Sequence, residues 1–161
     1  MFDIREFESM NLEDKYEAMV SAVKGITSSN DGVVSKLANA SALINALVGD
    51  LNWCGFYLDN GSFLELGPFQ GMPACTRIEY DKGVCGKSYT TGEAIRVDDV
   101  EQFPGHIACD AASKSELVIP LIKEGQKLGV LDMDSARLAR FGELEEKYLI
   151  LAGRIISENV F

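Results

Sequence analysis

Trp53-Cys-Gly-Phe-Tyr-Leu58-Asp-Asn-Gly61-Ser-Phe-Leu-Glu-Leu66 is the stretch on which the fold turns. From Leu51 the hydrophobic period is two, and Asp59-Asn60-Gly61 separates two apolar runs. Asn-Gly in that setting is the strongest short-range signal for an antiparallel hairpin, here pairing 53–58 with 62–66. Further along, 116–123 and 127–134 flank Glu124-Gly125-Gln126 and predict a second hairpin, with a short strand over 94–97.

Outside the strands the period changes to that of a helix. Asn11 is a suitable N-cap, Glu13 and Asp14 fall in the first turn, and Leu12, Tyr16, Met19, Val20 and Val23 share a face before Gly25 closes it. Residues 26–32 have loop composition. Asp31 is placed to cap a second helix whose inward residues are Val33, Leu37, Ala40, Ile44, Leu47 and Val48, ended by Gly49. The last segment, 143–161, carries Leu144, Tyr148, Leu151, Ala152, Ile155, Ile156 and Val160 at helical spacing. Helices at both ends with strands between them predict an α+β fold, with the helices on one face of an antiparallel sheet. The long segment between the hairpins, which holds a short turn from Gly83 to Gly92, must then fold over the other face and roof a pocket.

At 161 residues the chain is expected to form one domain, 1–161, with a core that needs no disulfide staples. A net charge of −10 excludes nucleic acid and anionic membrane surfaces as partners and leaves small molecules or neutral-to-basic proteins. The start of the chain has no signal-peptide pattern, and no apolar run approaches the ~20 residues that span a bilayer, so a cytoplasmic location is expected. That compartment keeps thiols reduced, which turns attention to what the cysteines do.

Three of the four cysteines and the single histidine lie between Leu66 and Asp110, among three of the four prolines. Cys109, in Gly105-His106-Ile107-Ala108-Cys109-Asp110, is the first candidate for a reactive thiol, because a loop cysteine beside polar groups combines access with thiolate character. The bland alternative is a small hydrophobe filling a gap. Cys75 and Cys85 stand beside Gly or Pro, where the backbone could carry one of them toward Cys109. Cys54, between Trp53 and Phe56, reads as a buried structural thiol. Cys75, Cys85, Cys109 and His106 lack the paired spacing of a structural zinc site, so no metal is expected. His106 is a candidate either to orient its loop or to act as an acid/base group.

Among the acids, Asp132 and Asp134 are two apart on a strand and point to one side, while Met133 faces the other. On the pocket side, desolvation and mutual repulsion would raise at least one pKa and supply a proton donor near neutral pH; on the other reading they mark a solvated strand end. Glu116 opens an apolar strand. Trp53 is either core or an apolar wall for a ligand, and Tyr57 is assigned to the core.

Five segments carry a family resemblance. They are Gly67-Pro-Phe-Gln-Gly-Met-Pro-Ala-Cys75-Thr-Arg-Ile, Gly83-Val-Cys85-Gly, Phe103-Pro-Gly-His-Ile-Ala-Cys109-Asp, Ser115-Glu116-Leu-Val-Ile-Pro120 and Gly129-Val-Leu-Asp-Met-Asp134-Ser. Together they resemble the free methionine-(R)-sulfoxide reductases, which are built on a GAF domain. The resemblance implies a GAF-like fold and thiol-dependent reduction of free methionine sulfoxide. It gives Cys109 as the catalytic cysteine, Cys75 as the resolving cysteine and Cys85 as a third thiol able to join the exchange. Glu116 and Asp134 become the acids that bind and protonate the sulfoxide oxygen, Asp132 a further pocket acid, and Trp53 an aromatic wall. It further implies no bound cofactor, with a transient thioredoxin partner and NADPH as the external reducing system, and it allows a homodimer. The rival expectation is a non-catalytic GAF sensor of a small ligand or of redox state, which has no need of three clustered thiols; a chain standing alone without an output domain favours the enzyme.

Overall fold

The computed structural model describes residues 3–107 and 110–161. A 3-10 turn (Ile4–Phe7) leads into α1 (Leu12–Thr27) and α2 (Val33–Val48), followed by β1 (Trp53–Asp59), β2 (Leu64–Gly71), β3 (Arg77–Ile78) and α3 (Gly83–Thr91). Then come β4 (Ile95–Val97), a second 3-10 turn (Val100–Gln102), β5 (Ser115–Lys123), β6 (Gln126–Ser135) and α4 (Glu143–Val160). The six strands form one antiparallel sheet in the order β3-β2-β1-β6-β5-β4.

Helix α1 begins as its sequence predicts, with Asn11 Oδ1 accepting the Asp14 N–H at 2.9 Å. It does not stop at Gly25. Ile26 and Thr27 continue onto the packed face, and Thr27, fully buried, donates its hydroxyl to the Val23 carbonyl at 2.8 Å. That added burial outweighs the ~1 kcal/mol a glycine costs inside a helix. The N-cap of α2 is Gly32 rather than Asp31, and it offers no side-chain bond. In α4, Glu145 Oε2 reaches back to accept the Gly142 N–H at 2.9 Å.

The first hairpin forms where expected, but its connection is the four-residue loop 60–63, because Asn60 Oδ1 accepts both the Ser62 and Phe63 N–H groups and widens the turn. Strand β2 also continues past Leu66 to Gly71, through residues that read as loop. The pairing explains how a strand contains Pro68. Gly55 faces Phe69 and Tyr57 faces Leu66, so β2 carries one extra residue at Gly67-Pro68. A β-bulge of this kind is one of the few positions in a sheet that tolerates a residue without an N–H.

Alternation then sorts the side chains into two clusters. Cys54, Phe56, Leu117, Ile119, Leu121, Leu131 and Met133 face α1, α2 and α4 and form the larger core with Tyr16, Met19, Leu37, Ile44, Leu47 and Ile156. Trp53, Tyr57, Val118 and Val130 face the other way and pack with Leu64, Ile78, Val84, Cys85, Val97 and Val100. The sheet thus has one face sealed by three helices and one covered by α3 and connecting segments. Among the described residues no helix is long and apolar enough to cross a membrane.

Candidate active site

Strand register builds the site. Glu116 of β5 pairs with Asp134 of β6, and Asp134 pairs with Trp53 of β1, so these three lie in one row across three strands. The next row on the same face is Val118, Asp132 and Gly55. Gly55 is required there: a Cβ on it would sit 2.3 Å from Phe69 Cβ and 2.7 Å from the Trp53 ring. The indole therefore packs down onto the sheet, stacked between Phe69, with centroids 5.2 Å apart, and Tyr57, at 5.7 Å. Its Nε1–H is buried without a partner among the described residues.

Glu116, Asp132 and Asp134 line one cavity with Cys85, His106, Asp110 and Ser113, closed on its far side by Lys82, Gly83 and Val84 at the start of α3. Glu116 and Asp132 are only 5% and 6% exposed, so their charges are poorly solvated. Burial, reinforced by the charges of Asp132 and Asp134, holds the Glu116 carboxyl well above its ordinary range. Asp134 is likewise raised by burial and by Asp132, against a hydrogen bond from Ser113. Asp132 is raised by burial to about 6, opposed by hydrogen bonds from Cys85, Glu116 and the Met133 N–H. Burial thus works against the ionised form of all three carboxyls and shifts Glu116 and Asp134 toward the protonated one.

Cys85 lies in the first turn of α3, where a helix start ordinarily lowers a thiol pKa. Burial wins here, because the helix dipole is worth about 0.3–1 kcal/mol and full desolvation costs more. With three carboxyls nearby, the thiol is pushed well up. Its Sγ stands 4.0 Å from Glu116 Oε1. His106 Nε2 is 3.7 Å from Glu116 Oε2, and burial works against the charged form of both, lowering the imidazole pKa and raising that of the carboxyl, which weakens the contact as an ion pair.

The structure thus brings Cys85, Glu116, Asp132 and Asp134 to one cavity and puts Trp53 in their row, next to the cavity lining. Cys75 is partly buried in the connection between β2 and β3 and is disulfide-bonded, with its carbonyl accepting from the Tyr57 hydroxyl at 2.9 Å. Cys109 lies outside the described residues. Cys54 is a free thiol buried completely on the helix face. A metal ion would find donors in a different group from the one weighed on spacing: Cys85, Glu116 and Asp132 present ligand atoms within 4.8 Å of one another.

Two contributors had no signal in the sequence. The Asn52 Nδ2 group donates to Asp110 Oδ2 at 2.8 Å and to Ser113 Oγ at 3.0 Å, and the Asn52 backbone N–H donates to the Asp134 carbonyl at 3.0 Å. One asparagine at the head of β1 thereby pins segment 110–113 beside the acids, and Ser113 passes a hydrogen bond on to Asp134.

Known proteins with similar sequences and structures fit this architecture. The GAF domain family model matches residues 33–160. "Protein YtsP" of Bacillus subtilis is 45% identical over 151 residues, covering 92% of each chain. The free methionine-R-sulfoxide reductase of Escherichia coli is 43% identical over 140 residues, covering 87% of this chain and 85% of the relative. The X-ray structure of the free methionine-R-sulfoxide reductase of Neisseria meningitidis in complex with its substrate superposes with a TM-score of 0.90 at 36% identity, covering 95% and 92% of the two chains.

Proposed function

Because this chain belongs to the free methionine-R-sulfoxide reductase family of GAF-domain proteins, we propose that it reduces free L-methionine-(R)-sulfoxide to L-methionine by thiol chemistry, acting as one unit over residues 1–161. The observation that carries this reading is the buried trio of carboxyls. A sulfoxide oxygen leaves only if it is protonated, and burial shifts the Glu116 and Asp134 carboxyls toward the protonated form that can supply that proton.

In the proposed reaction the Cys109 thiolate attacks the sulfoxide sulfur, while a proton from the Glu116/Asp134 pair goes to the oxygen. The substrate sulfur gains two electrons and departs as methionine. The attack forms an S–S bond as the doubly protonated oxygen leaves as water. Water then attacks the Cys109 sulfur and returns one proton, the S–S bond breaks to free methionine, and Cys109, having lost two electrons, is left as a sulfenic acid. The Cys75 thiolate then attacks that sulfur, an S–S bond forms, the S–O bond breaks, and the leaving hydroxide takes a proton to become water. Cys85, against Glu116, is the third thiol available for exchange. A dithiol such as thioredoxin, with a potential of about −270 mV and itself reduced from NADPH, returns the disulfide to thiols as a transient partner in the cytoplasm.

Binding uses this cavity and the residues beside it. Trp53 provides the apolar wall, and Asp132 supplies the negative charge facing the ammonium group. The start of α3, which no side chain caps, faces the α-carboxylate.

The test is thioredoxin-coupled NADPH consumption with free methionine-(R)-sulfoxide, run beside the S-epimer. Turnover confined to the R-epimer is expected. Reduced wild-type protein that makes no methionine even in a single turnover would leave a ligand-binding GAF module as the reading.

A further inference from the structure

Tyr57 belongs to the core by burial, 1% exposed and stacked on Trp53, yet its hydroxyl leaves that packing to donate to the Cys75 carbonyl, 18 residues away in sequence. Cys75 lies in the short connection 72–76 between β2 and β3. The backbone there is also tied where Thr76 accepts the Leu66 N–H at 3.1 Å. Burial holds the phenol far above its ordinary pKa, so Tyr57 remains a hydrogen-bond donor across the working pH range.

We propose that Tyr57 is a positioning residue for the resolving thiol: its hydrogen bond fixes the Cys75 backbone in the place from which the sulfur enters a disulfide. This rests on the role given to Cys75 above. The bond is made while Cys75 is disulfide-bonded, and on this proposal it loosens when the thiol is reduced. A contact held in the oxidised state and loosened in the reduced one favours disulfide formation by its own free energy. The Tyr57 hydrogen bond goes to the Cys75 backbone carbonyl, which is not a reacting atom. In the step it assists, the Cys75 thiolate forms the S–S bond as the S–O bond of the Cys109 sulfenic acid breaks, and hydroxide leaves as water after taking a proton.

Tyr57→Phe removes the hydroxyl and keeps the stacked ring. A neutral hydrogen bond of ordinary strength corresponds to about a fivefold change in equilibrium. The Cys75 disulfide should therefore form about fivefold less favourably in a dithiothreitol redox buffer, which is a rise of roughly 20 mV in its reduction potential. Disulfide formation after one turnover should slow several-fold, with longer-lived sulfenic acid trapped by dimedone, while the first methionine appears at the wild-type rate. Tyr57→Met, apolar and unable to donate, should give the same potential shift and serves if the phenylalanine variant folds poorly. An unchanged potential in both variants overturns the inference, as does an equal slowing of methionine release and disulfide formation. The potential is read without any sulfoxide, so a wild-type protein that makes no methionine would sink the reductase reading alone.

Discussion

Cys54 and Cys85 are both buried free thiols, and they stand on opposite faces of one sheet. Burial is the largest cause that raises the pKa of each. What separates them is company. Cys54 sits among Phe56, Leu131, Met133 and other apolar side chains under three helices, while Cys85 meets Glu116 at 4.0 Å beside a cavity. A face sealed by α1, α2 and α4 can be apolar throughout and carries the stability. The face left to one short helix and its connections has room for desolvated carboxyls. The division lies between consecutive residues, since Trp53 and Cys54 point to opposite sides.

The largest expected effect lies on the thiol side. Cys109→Ser should remove methionine formation by about a thousandfold or more, even in a single turnover of reduced protein, because no other group takes over the attack. Survival of the first methionine in that variant, with its loss in Cys75→Ser, would reverse the assigned roles. Next in size is Glu116→Gln, expected to lower kcat about a hundredfold or more because an amide has no proton to transfer. The pH profile sharpens the same point. Activity that needs a protonated carboxyl falls as pH rises through that group's raised pKa. Asp132→Asn removes a negative charge that helps to raise Glu116 and Asp134, so the falling limb should move to lower pH by about one unit. A limb that stays in place would show that the acids are not coupled in solution.

On the helix side the currency is stability. Leu131→Ala should cost about 2–5 kcal/mol in urea denaturation while kcat/KM of the folded fraction changes little. A large loss of kcat/KM at unchanged stability would break the separation of the two faces. Smallest is Cys54→Ala, expected to cost about 1 kcal/mol and to leave turnover unchanged. Alkylation of the native wild-type protein should likewise spare Cys54.

The sheet and the acids were legible because a period of two is a local property: Asp132, Met133 and Asp134 declare opposite faces without reference to the rest of the chain. The same holds for the apolar stripes of α1 and α4, except that Leu12 and Leu151, which fit the helical spacing, are exposed. Other features depend on partners distant in sequence. Gly67-Pro68 reads as a turn until the Gly55/Phe69 and Tyr57/Leu66 pairs turn it into a bulge. Asp31 is the better cap by residue type, yet the helix starts one residue later. Asn52 carries no pattern of its own, and its bond to Ser113 spans 61 residues. Tyr57 was readable as core, but not as a tether, because hydroxyl direction has no sequence period.

The bulge at Gly67-Pro68 has a consequence for how molecules meet one another. Among the described residues β3 pairs only Leu64 and Glu65, which leaves much of the outer edge of β2 without a strand beside it. Such an edge is a template onto which another copy could dock and begin to aggregate. An extra residue that breaks the regular spacing, next to a proline with no N–H to offer, makes the template a poor one. Pro68→Val should therefore leave turnover near wild type and speed the rise of light scattering in concentrated solution, a cost visible only when many copies are crowded together.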